Sequence, residues 1–250
     1  LALAWEAGIE PGKLLSVNFR AKNSQRPASE YDTLFTYQSG NAVLTKIVSN
    51  RTLRTANWGY NMFKYNACDY CDDVTGELAD ISFGDAWLPA FNNDPEGTNI
   101  VVSRNQAVTA ILSDLVTKGK ARLTPLTEKD VVDSQAGGFR HRREGLALRL
   151  HIKKEQHLEV PQKRVQPAIP QNKTRGNIYR VRMELREKSL VYFNTALLKN
   201  DYNLFSVPLS EIISNYNKLY NPGIKKPVKL ILKWIKKTKT TILHVLRIRS

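Results

Sequence analysis

Apolar and polar positions between residues 14 and 48 follow a pattern that predicts three β-strands. The three segments read LLSVNFR, DTLFTYQ and AVLTKIV, and all are rich in β-branched or aromatic residues. A polar loop containing Pro27 separates the first two segments, and a Ser39-Gly40-Asn41 turn separates the second from the third. These signals predict a β-hairpin that lies beside an earlier strand.

Two further strands and a helix are predicted in the middle of the chain. The apolar segment LADISFGDAW reaches Gly84 and Asp85, and TNIVVSR follows after a loop rich in Asn, Asp, Pro and Gly. A helix is predicted from Gln106 to Lys118 and is closed by Gly119. The succession of strand, helix and strand is typical of an α/β unit, and we expect one sheet to carry both strands.

The second half of the chain is predicted to be mainly helical. Thr127 followed by Asp130 resembles a capping box, and the basic segment from Phe139 onward has helical spacing. Residues 160–176 contain three prolines among Gln, Lys and Arg, which is the composition of a linker. The segments IYRVRMELREKSLVYFNTALLKN and VPLSEIISNYNKLYN predict two helices after this linker.

These elements together predict a mixed α+β fold. We expect a mixed sheet with flanking helices over residues 1–165, followed by a basic helical extension over residues 166–250. The chain opens at Leu1 inside a helical segment that Gly8 ends, so we also expect further protein upstream of it.

The end of the chain has the pattern of an amphipathic helix. Residues 225–249 contain nine Lys or Arg and no acidic residue. On a helix, seven apolar residues would cluster on one face, and Lys229, Lys233, Lys236 and Lys237 would lie on the opposite side. The apolar face would contain Val228, Ile231, Leu232, Ile235, Ile242, Leu243 and Leu246. This pattern predicts that residues 225–250 bind an anionic membrane surface.

Composition and charge narrow the class of protein. Hydrophobic residues make up 42% and charged residues 24%, which excludes a disordered tail or a fibre. The net charge of +15 is compatible with a nucleic-acid partner. The sequence has no helix-turn-helix, RNP-type or zinc-finger spacing, however, so we expect no nucleic-acid binding. No segment has the apolar length of a membrane-spanning helix, and the first residues lack a secretory leader. We therefore expect a cytoplasmic protein, peripheral to the inner membrane.

The two cysteines, Cys68 and Cys71, form a single Cys-x-x-Cys pair. Such a turn suits a zinc ion, an iron-sulfur cluster or a redox disulfide. A closed zinc site within the chain is disfavoured because a second cysteine pair is lacking and the four histidines are far downstream. A disulfide is disfavoured by the nearby Asp69, Asp72 and Asp73, and two incidental thiols remain an alternative.

The cysteine pair belongs to a longer run that resembles a known family. NACDYCDDVTGELADISFGDAWLP is followed by GTNIVVSR and later by SQAGGFRHRREGLALRL, with SVNFRAK and NWGY upstream. Over residues 14–165 the chain resembles the C-terminal domain of the coenzyme F420 hydrogenase/dehydrogenase beta-subunit family. The resemblance implies an electron-transfer protein with a flavin (FAD) and a 4Fe-4S cluster, preceded by a ferredoxin-like domain. It also implies coenzyme F420 as a candidate substrate.

The resemblance assigns roles to particular residues. Cys68 and Cys71 would be metal ligands, and the remaining cluster ligands would come from upstream. Asp80, Gly84 and Asp85 match the family's Ala-Asp-Ile-x-x-Gly-Asp element and would contact the flavin. Other matching segments place further candidates in the wall of the flavin pocket. These are Arg20, Asn57, Trp58 and Lys64.

Two readings of the function follow. The first is a flavin- and iron-sulfur-dependent oxidoreductase that serves polysaccharide biosynthesis, with a partner protein or ferredoxin-like domain exchanging electrons. Asp69, Asp72 and Asp73 would then lower the reduction potential of the cluster. The second is a catalytically degenerate interaction module held at a membrane or in a complex. Arg140, Arg142 and Arg143 next to Gly137-Gly138 are either phosphate ligands or the start of a solvated basic helix.

Overall fold

The computed structural model describes residues 1–221. The predicted amphipathic helix at residues 225–249 lies outside these residues. A short helix α1 (Ala2–Glu6) opens the chain and is followed by Gly8, whose positive φ of 82° ends it without strain.

The first sheet contains β1 (Leu14–Ala21), β2 (Asp32–Ser39) and β3 (Ala42–Ser49). All neighbours are antiparallel, and the strand order is β1-β2-β3. Ser39 pairs with Ala42, so Gly40 and Asn41 form a two-residue turn with Gly40 at a φ of 57°. The predicted hairpin beside an earlier strand is confirmed.

One face of this sheet packs on α1. Phe35 of β2 is fully buried against Ala4, Ala7, Ile9 and Leu53, which form a small hydrophobic core. The alternation Thr33-Leu34-Phe35-Thr36-Tyr37 turns Phe35 toward this core because successive side chains of a strand point to opposite faces.

The second sheet consists of β4 (Ile81–Asp85) and β5 (Asn99–Ser103), again antiparallel. Helix α2 (Gln106–Thr117) follows β5, and Gly119 adopts a φ of 65° just after it. The predicted helix is therefore confirmed. The prediction that one sheet carries both strands is confirmed. Within residues 1–221 this sheet is antiparallel and separate from β1-β2-β3.

The direction of β5 has a simple cause. A parallel pair needs a crossover of a dozen or more residues that is usually helical, and the only helix nearby, α2, comes after β5. The loop between the strands contains short turns and returns β5 directly alongside β4. The mixed α+β class itself, with flanking helices and a helical C-terminal region, is confirmed.

Residues 128–155 form three helices, α3 (Glu128–Ser134), α4 (Ala136–Arg142) and α5 (Glu144–Glu155). Thr127 and Asp130 form the predicted capping box, with both reciprocal hydrogen bonds present. One continuous helix was expected from Phe139, but Arg143 breaks it with backbone angles of −111° and −78°. The two helices stay in contact, since Arg149 of α5 donates to the His141 carbonyl oxygen of α4 at 3.2 Å.

Two long helices follow the proline-containing linker, α6 (Lys173–Lys199) and α7 (Asn203–Tyr220). Both were predicted, although α6 begins five residues earlier than its predicted segment. Asn200 joins them in the left-handed region, with a φ of 49°. Their packed faces share one hydrophobic core. Its buried members on the two helices are Ile178, Val181, Leu185, Phe193, Ala196, Phe205, Leu209, Ile213 and Tyr216.

The aromatic segment that precedes the cysteines packs against these helices. Phe63 stacks on Phe205 with ring centroids 5.8 Å apart and meets Phe193 edge to face at 5.5 Å. Tyr60 meets Tyr216 edge to face at 5.1 Å. The division at residue 165 stays a prediction, but α6 and α7 share their core with residues from the start of the chain.

Within residues 1–221, no helix combines the length and the apolar character that crossing a membrane requires.

Replacement of Leu185 by Ala is expected to lower the free energy of unfolding by about 3 kcal/mol, because it leaves a cavity between α6 and α7. Leu185 is 0% exposed, whereas Leu198 on the same helix is 85% exposed. Urea unfolding of Leu185→Ala and of the control Leu198→Ala measures both effects. Equal losses in the two variants would contradict the core described above.

Candidate cofactor-binding site

The cysteine pair lies on a single turn of 3₁₀ helix. Cys68 is inside the turn Asn66–Tyr70, and Cys71 follows it directly in extended conformation. Both thiols are free and partly exposed, while Asp69 between them is 2% exposed. The turn therefore buries its carboxylate and leaves its sulfur atoms accessible.

Two buried arginines hold Asp69 in place. Arg149 of α5 donates from Nε to the Asp69 carbonyl oxygen at 2.9 Å and lies 3.9 Å from its carboxylate. Arg186 of α6 lies 3.3 Å from Oδ2 of Asp69 and also donates to the side chain of Asn66. Both arginines are at most 5% exposed. The cysteine turn is thereby attached to both helices through buried charge.

Lys64 and His141 form a second contact beside this cluster. Lys64 Nζ lies 3.1 Å from His141 Nε2. An ammonium group can only donate, so Nε2 accepts and the ring proton lies on Nδ1. Nδ1 is buried without a hydrogen-bond partner among residues 1–221. Lys64 is thus fixed on the inner side of the segment that leads to Cys68.

Burial and nearby cations keep His141 neutral. Desolvation, followed by the charges of Arg149 and Lys64, lowers the pKa of His141 to about 2. The pKa of Lys64 is also lowered, first by burial and then by the charge of Arg149. Both shifts favour the neutral forms, as expected where cations are crowded away from water.

The carboxylates around the cysteines are compensated rather than free. Asp72 lies 3.2 Å from Arg164 and 3.7 Å from Lys163. Burial alone would raise the pKa of Asp72, but these cations hold it below its ordinary value. Asp73 accepts hydrogen bonds from the backbone N–H groups of Thr75 and Gly76. The negative charge that the sequence places beside the thiols is therefore balanced by the fold.

The donor set suits a thiolate-bound metal only in part. Iron-sulfur clusters are held by four ligands, commonly thiolates, and this turn supplies two. No group of three or more His, Cys, Asp or Glu side chains that could hold a metal ion occurs in the part of the chain described. Cys68 and Cys71 fit half of a cluster site.

Arg20 and Asp85 come together at the end of β4. Their side chains are 3.4 Å apart, and the Arg20 guanidinium lies 5.2 Å from the ring centroid of Tyr31. Gln135 donates to the Asp85 carbonyl oxygen at 2.8 Å. A Cβ atom added to Gly84 would lie 3.5 Å from Gln135, an ordinary contact. Packing within the chain therefore does not require glycine at this position.

Asn57 and Trp58 line a cavity of about 400 Å³ that Tyr31 also lines. Asn57 accepts from the Gly59 N–H and begins a 3₁₀ turn, and Trp58 on that turn is 82% exposed. Tyr31 links this cavity to the Arg20–Asp85 pair. The structure thus brings Arg20, Asp85, Asn57 and Trp58 to one neighbourhood.

Asp80 lies at the opposite end of β4. Its side chain accepts from Asn105 at 2.9 Å, and its carbonyl oxygen accepts from the Arg104 N–H at 2.8 Å. At about 3.3 Å per residue, the strand separates Asp80 from Asp85 by more than 15 Å. The predicted site residues therefore form three groups. The first lies around the Arg20–Asp85 pair and Trp58, the second contains the cysteines and Lys64, and the third is Asp80 alone.

Three residues around the cysteine turn had no predicted role: His141, Arg149 and Arg186. One signal was present in the sequence, because Arg149 stands among leucines in GLALRL and such a charged residue needs a buried partner. The identity of that partner depends on the tertiary fold.

Comparison with known proteins identifies the family. The family model for the C terminus of the coenzyme F420 hydrogenase/dehydrogenase beta subunit matches residues 1–129, more than half of the chain. The chain belongs to this family. Searches of curated proteins and of solved structures find no match.

Membership of the coenzyme F420 hydrogenase/dehydrogenase beta-subunit family confirms the predicted resemblance and implies an oxidoreductase-type role. The match covers the cysteine turn, both sheets and α2 but ends before α4. Arg149 and Arg186, which hold Asp69, therefore lie outside the matched region.

Folding stability is expected to depend on the protonation of His141. Its folded pKa is depressed below the ordinary 6.5, so the unfolded chain takes up the proton first as the pH falls. The contribution of neutral His141 to the free energy of unfolding is therefore present above about pH 6.5 and decreases as the pH falls below that value. Between pH 7.0 and 5.5 the wild type should lose about 1 kcal/mol more than His141→Gln, measured by urea unfolding.

The exposed His157 provides the control, since His157→Asn keeps a residue that tolerates its φ of 55°. Its pH dependence should match that of the wild type. Identical pH dependence in the wild type and His141→Gln would show that His141 is not buried in the neutral form.

Proposed function

We propose that this protein is a flavin- and iron-sulfur-dependent oxidoreductase in which Cys68 and Cys71 are cluster ligands. The observation that carries the proposal is the difference in burial between Asp69 and the two cysteines beside it. Asp69 is buried and ion-paired, so it holds the turn, whereas both thiols are partly exposed and free. The thiols are not joined in a disulfide, and the Cys71 thiol makes a long 3.5 Å contact with the Asp73 carbonyl oxygen, which supports their availability as ligands.

The charge around the turn supports the same role. A cluster held by thiolates carries net negative charge, and Lys64, Arg149 and Arg186 place positive charge beside it. Asp72 is paired with Lys163 and Arg164, so it does not cancel this effect. The chain's own cations would therefore stabilise an anionic group at the two sulfurs.

The exposed indole of Trp58 and the Arg20–Asp85 pair are the residues we propose for the flavin. An aromatic face can cover a planar ring, and the Arg20 guanidinium and Asp85 carboxylate can bond polar groups beside it. When bound, the flavin supplies hydride and single-electron chemistry, while the protein binds and orients it. Asp80 is too far from Asp85 to join this contact and would serve another part of the ligand.

Substrate and partners are proposed from the family and the sequence. The hydride carrier is coenzyme F420 or another reduced cofactor, and electrons pass to a ferredoxin-like domain or partner protein. The reaction serves polysaccharide assembly. Residues 225–250 bring the protein to an anionic membrane surface.

A redox-inactive interaction module is the second candidate. The observation that favours it is that the described residues offer two thiols and no third metal-binding side chain beside them. Cofactor content separates the two candidates.

Iron content tests the cysteines. The protein expressed from its complete gene and purified anaerobically is expected to contain iron and a broad visible absorption band, and Cys68→Ser or Cys71→Ser should remove most of both. Ala67→Ser adds a hydroxyl to the same turn without removing a thiol and should leave iron content unchanged. A wild-type protein free of iron would favour the interaction module.

Flavin content tests the aromatic cavity. Trp58→Ala is expected to reduce bound flavin at least several-fold, because the indole provides the stacking face. Trp87→Ala, at another exposed tryptophan, is the matched control and should keep wild-type flavin content. Equal flavin content in all three proteins would place the flavin elsewhere.

A further inference from the structure

A second cavity lies where α4 meets α6 and α7, apart from the residues assigned above. Its volume is about 330 Å³. Three arginines line it: Arg140 from α4, and Arg175 and Arg182 from α6. We refer to this site as the arginine cavity.

The three guanidinium groups are not neutralised by salt bridges. None of them forms an ion pair with another residue of the described chain. Arg182 donates to the Tyr216 hydroxyl at 2.9 Å, and its Nε is buried without a partner in residues 1–221. Most of the donors of these arginines are therefore free to bind a ligand.

Tyr179 lies in the wall of the cavity, and its hydroxyl donates to the Arg140 carbonyl oxygen at 3.4 Å. Burial raises the pKa of Tyr179, and the charge of Glu144 raises it further, while Arg175 acts in the opposite direction. The lining residues include three arginines and no Asp or Glu, so the wall of the cavity carries a surplus of positive charge.

The remaining wall is apolar. Ile178 and Leu219 line the cavity together with the ring of Tyr220, which stacks on Tyr216 with centroids 5.5 Å apart. Small-ligand sites combine apolar walls with a few converging polar groups, and volumes start near 300 Å³. The combination of arginines and an apolar wall fits an anion that carries an organic group.

We propose that the arginine cavity binds the phosphate group of a small organic phosphate ester. A planar guanidinium group can donate two parallel hydrogen bonds to phosphate oxygens, and a phosphate dianion complements the positive charge of the three arginines. The ester's organic part lies against Ile178, Leu219 and Tyr220. The site goes beyond the proposed redox function and uses none of its residues.

The arginine cavity adjoins the cysteine cluster through α6. Arg182 and Arg186 are four residues apart, about 6 Å along the helix, so they occupy neighbouring positions on one face. The charge of Arg182 is also one of those that lower the pKa of His141. A phosphorylated ligand in the cavity would lie next to the buried charges that hold Asp69.

Calorimetric titration of the full chain with phenyl phosphate and with inorganic phosphate, at constant ionic strength, tests the proposal. Both should bind, and phenyl phosphate should bind more tightly because its ring reaches the apolar wall. Arg140→Gln and Arg175→Gln should each weaken binding roughly tenfold, since each removes a charge-assisted contact. Neither residue forms a salt bridge within residues 1–221, so both variants should fold, as their thermal unfolding will show.

Arg180→Gln is the matched control, because Arg180 is an exposed arginine on the same helix that does not line the cavity. It should bind both probes as the wild type does. Equal weakening in Arg180→Gln, or no binding to the wild type at about 10 mM probe, would overturn the site. Phenyl phosphate that binds no better than inorganic phosphate would overturn the assignment to an organic ester.

If neither phosphate probe binds, the redox proposal is unaffected, because iron and flavin content are tested with variants of other residues. Conversely, phosphate binding in a protein without iron or flavin would support the arginine cavity alone.

Discussion

The buried carboxylate of Asp69 is the constraint on which the cysteine region depends. An isolated buried charge is strongly unfavourable, so Asp69 requires cations that are equally removed from water. Arg149 and Arg186 meet this need from two different helices, at 3.9 Å and 3.3 Å. The cysteine turn can therefore reach its final position only after α5 and α6 have packed beside it. Through this one residue, the local geometry of the thiols depends on the helical half of the protein.

The same arrangement sets the electrostatic character of the interior. Arg142, Arg149, Arg182 and Lys64 all contribute to keeping His141 uncharged. The cationic surplus continues into the arginine cavity, which Arg182 lines one turn of α6 away from Arg186. Positive charge inside a protein stabilises whichever state of a bound group carries more electrons. A group held at this turn would thus be easier to reduce than the acidic sequence around the cysteines suggests, since those carboxylates are already paired.

Local signals in the sequence were sufficient for much of the fold. The Gly40-Asn41 turn, the end of α2 at Gly119 and the Thr127–Asp130 capping box each depend on a few adjacent residues, and the structure contains them all. The separation of β4 and β5 from the first sheet and the break at Arg143 had no comparable local signal in the sequence. The site shows the same limit. The cysteines were recognisable from their spacing, but Asp69 and Arg149 are 80 residues apart in the chain.

The exposure of the two thiols on either side of a buried Asp69 has an evolutionary consequence. Substitutions at Cys68 or Cys71 leave the ion pairs of Asp69 in place and remove at most the long contact between the Cys71 thiol and the Asp73 carbonyl oxygen. A lineage could therefore change the residues at these two positions and still inherit the same scaffold. Drift at Asp69, by contrast, would be constrained in every descendant, whatever reaction that descendant performs.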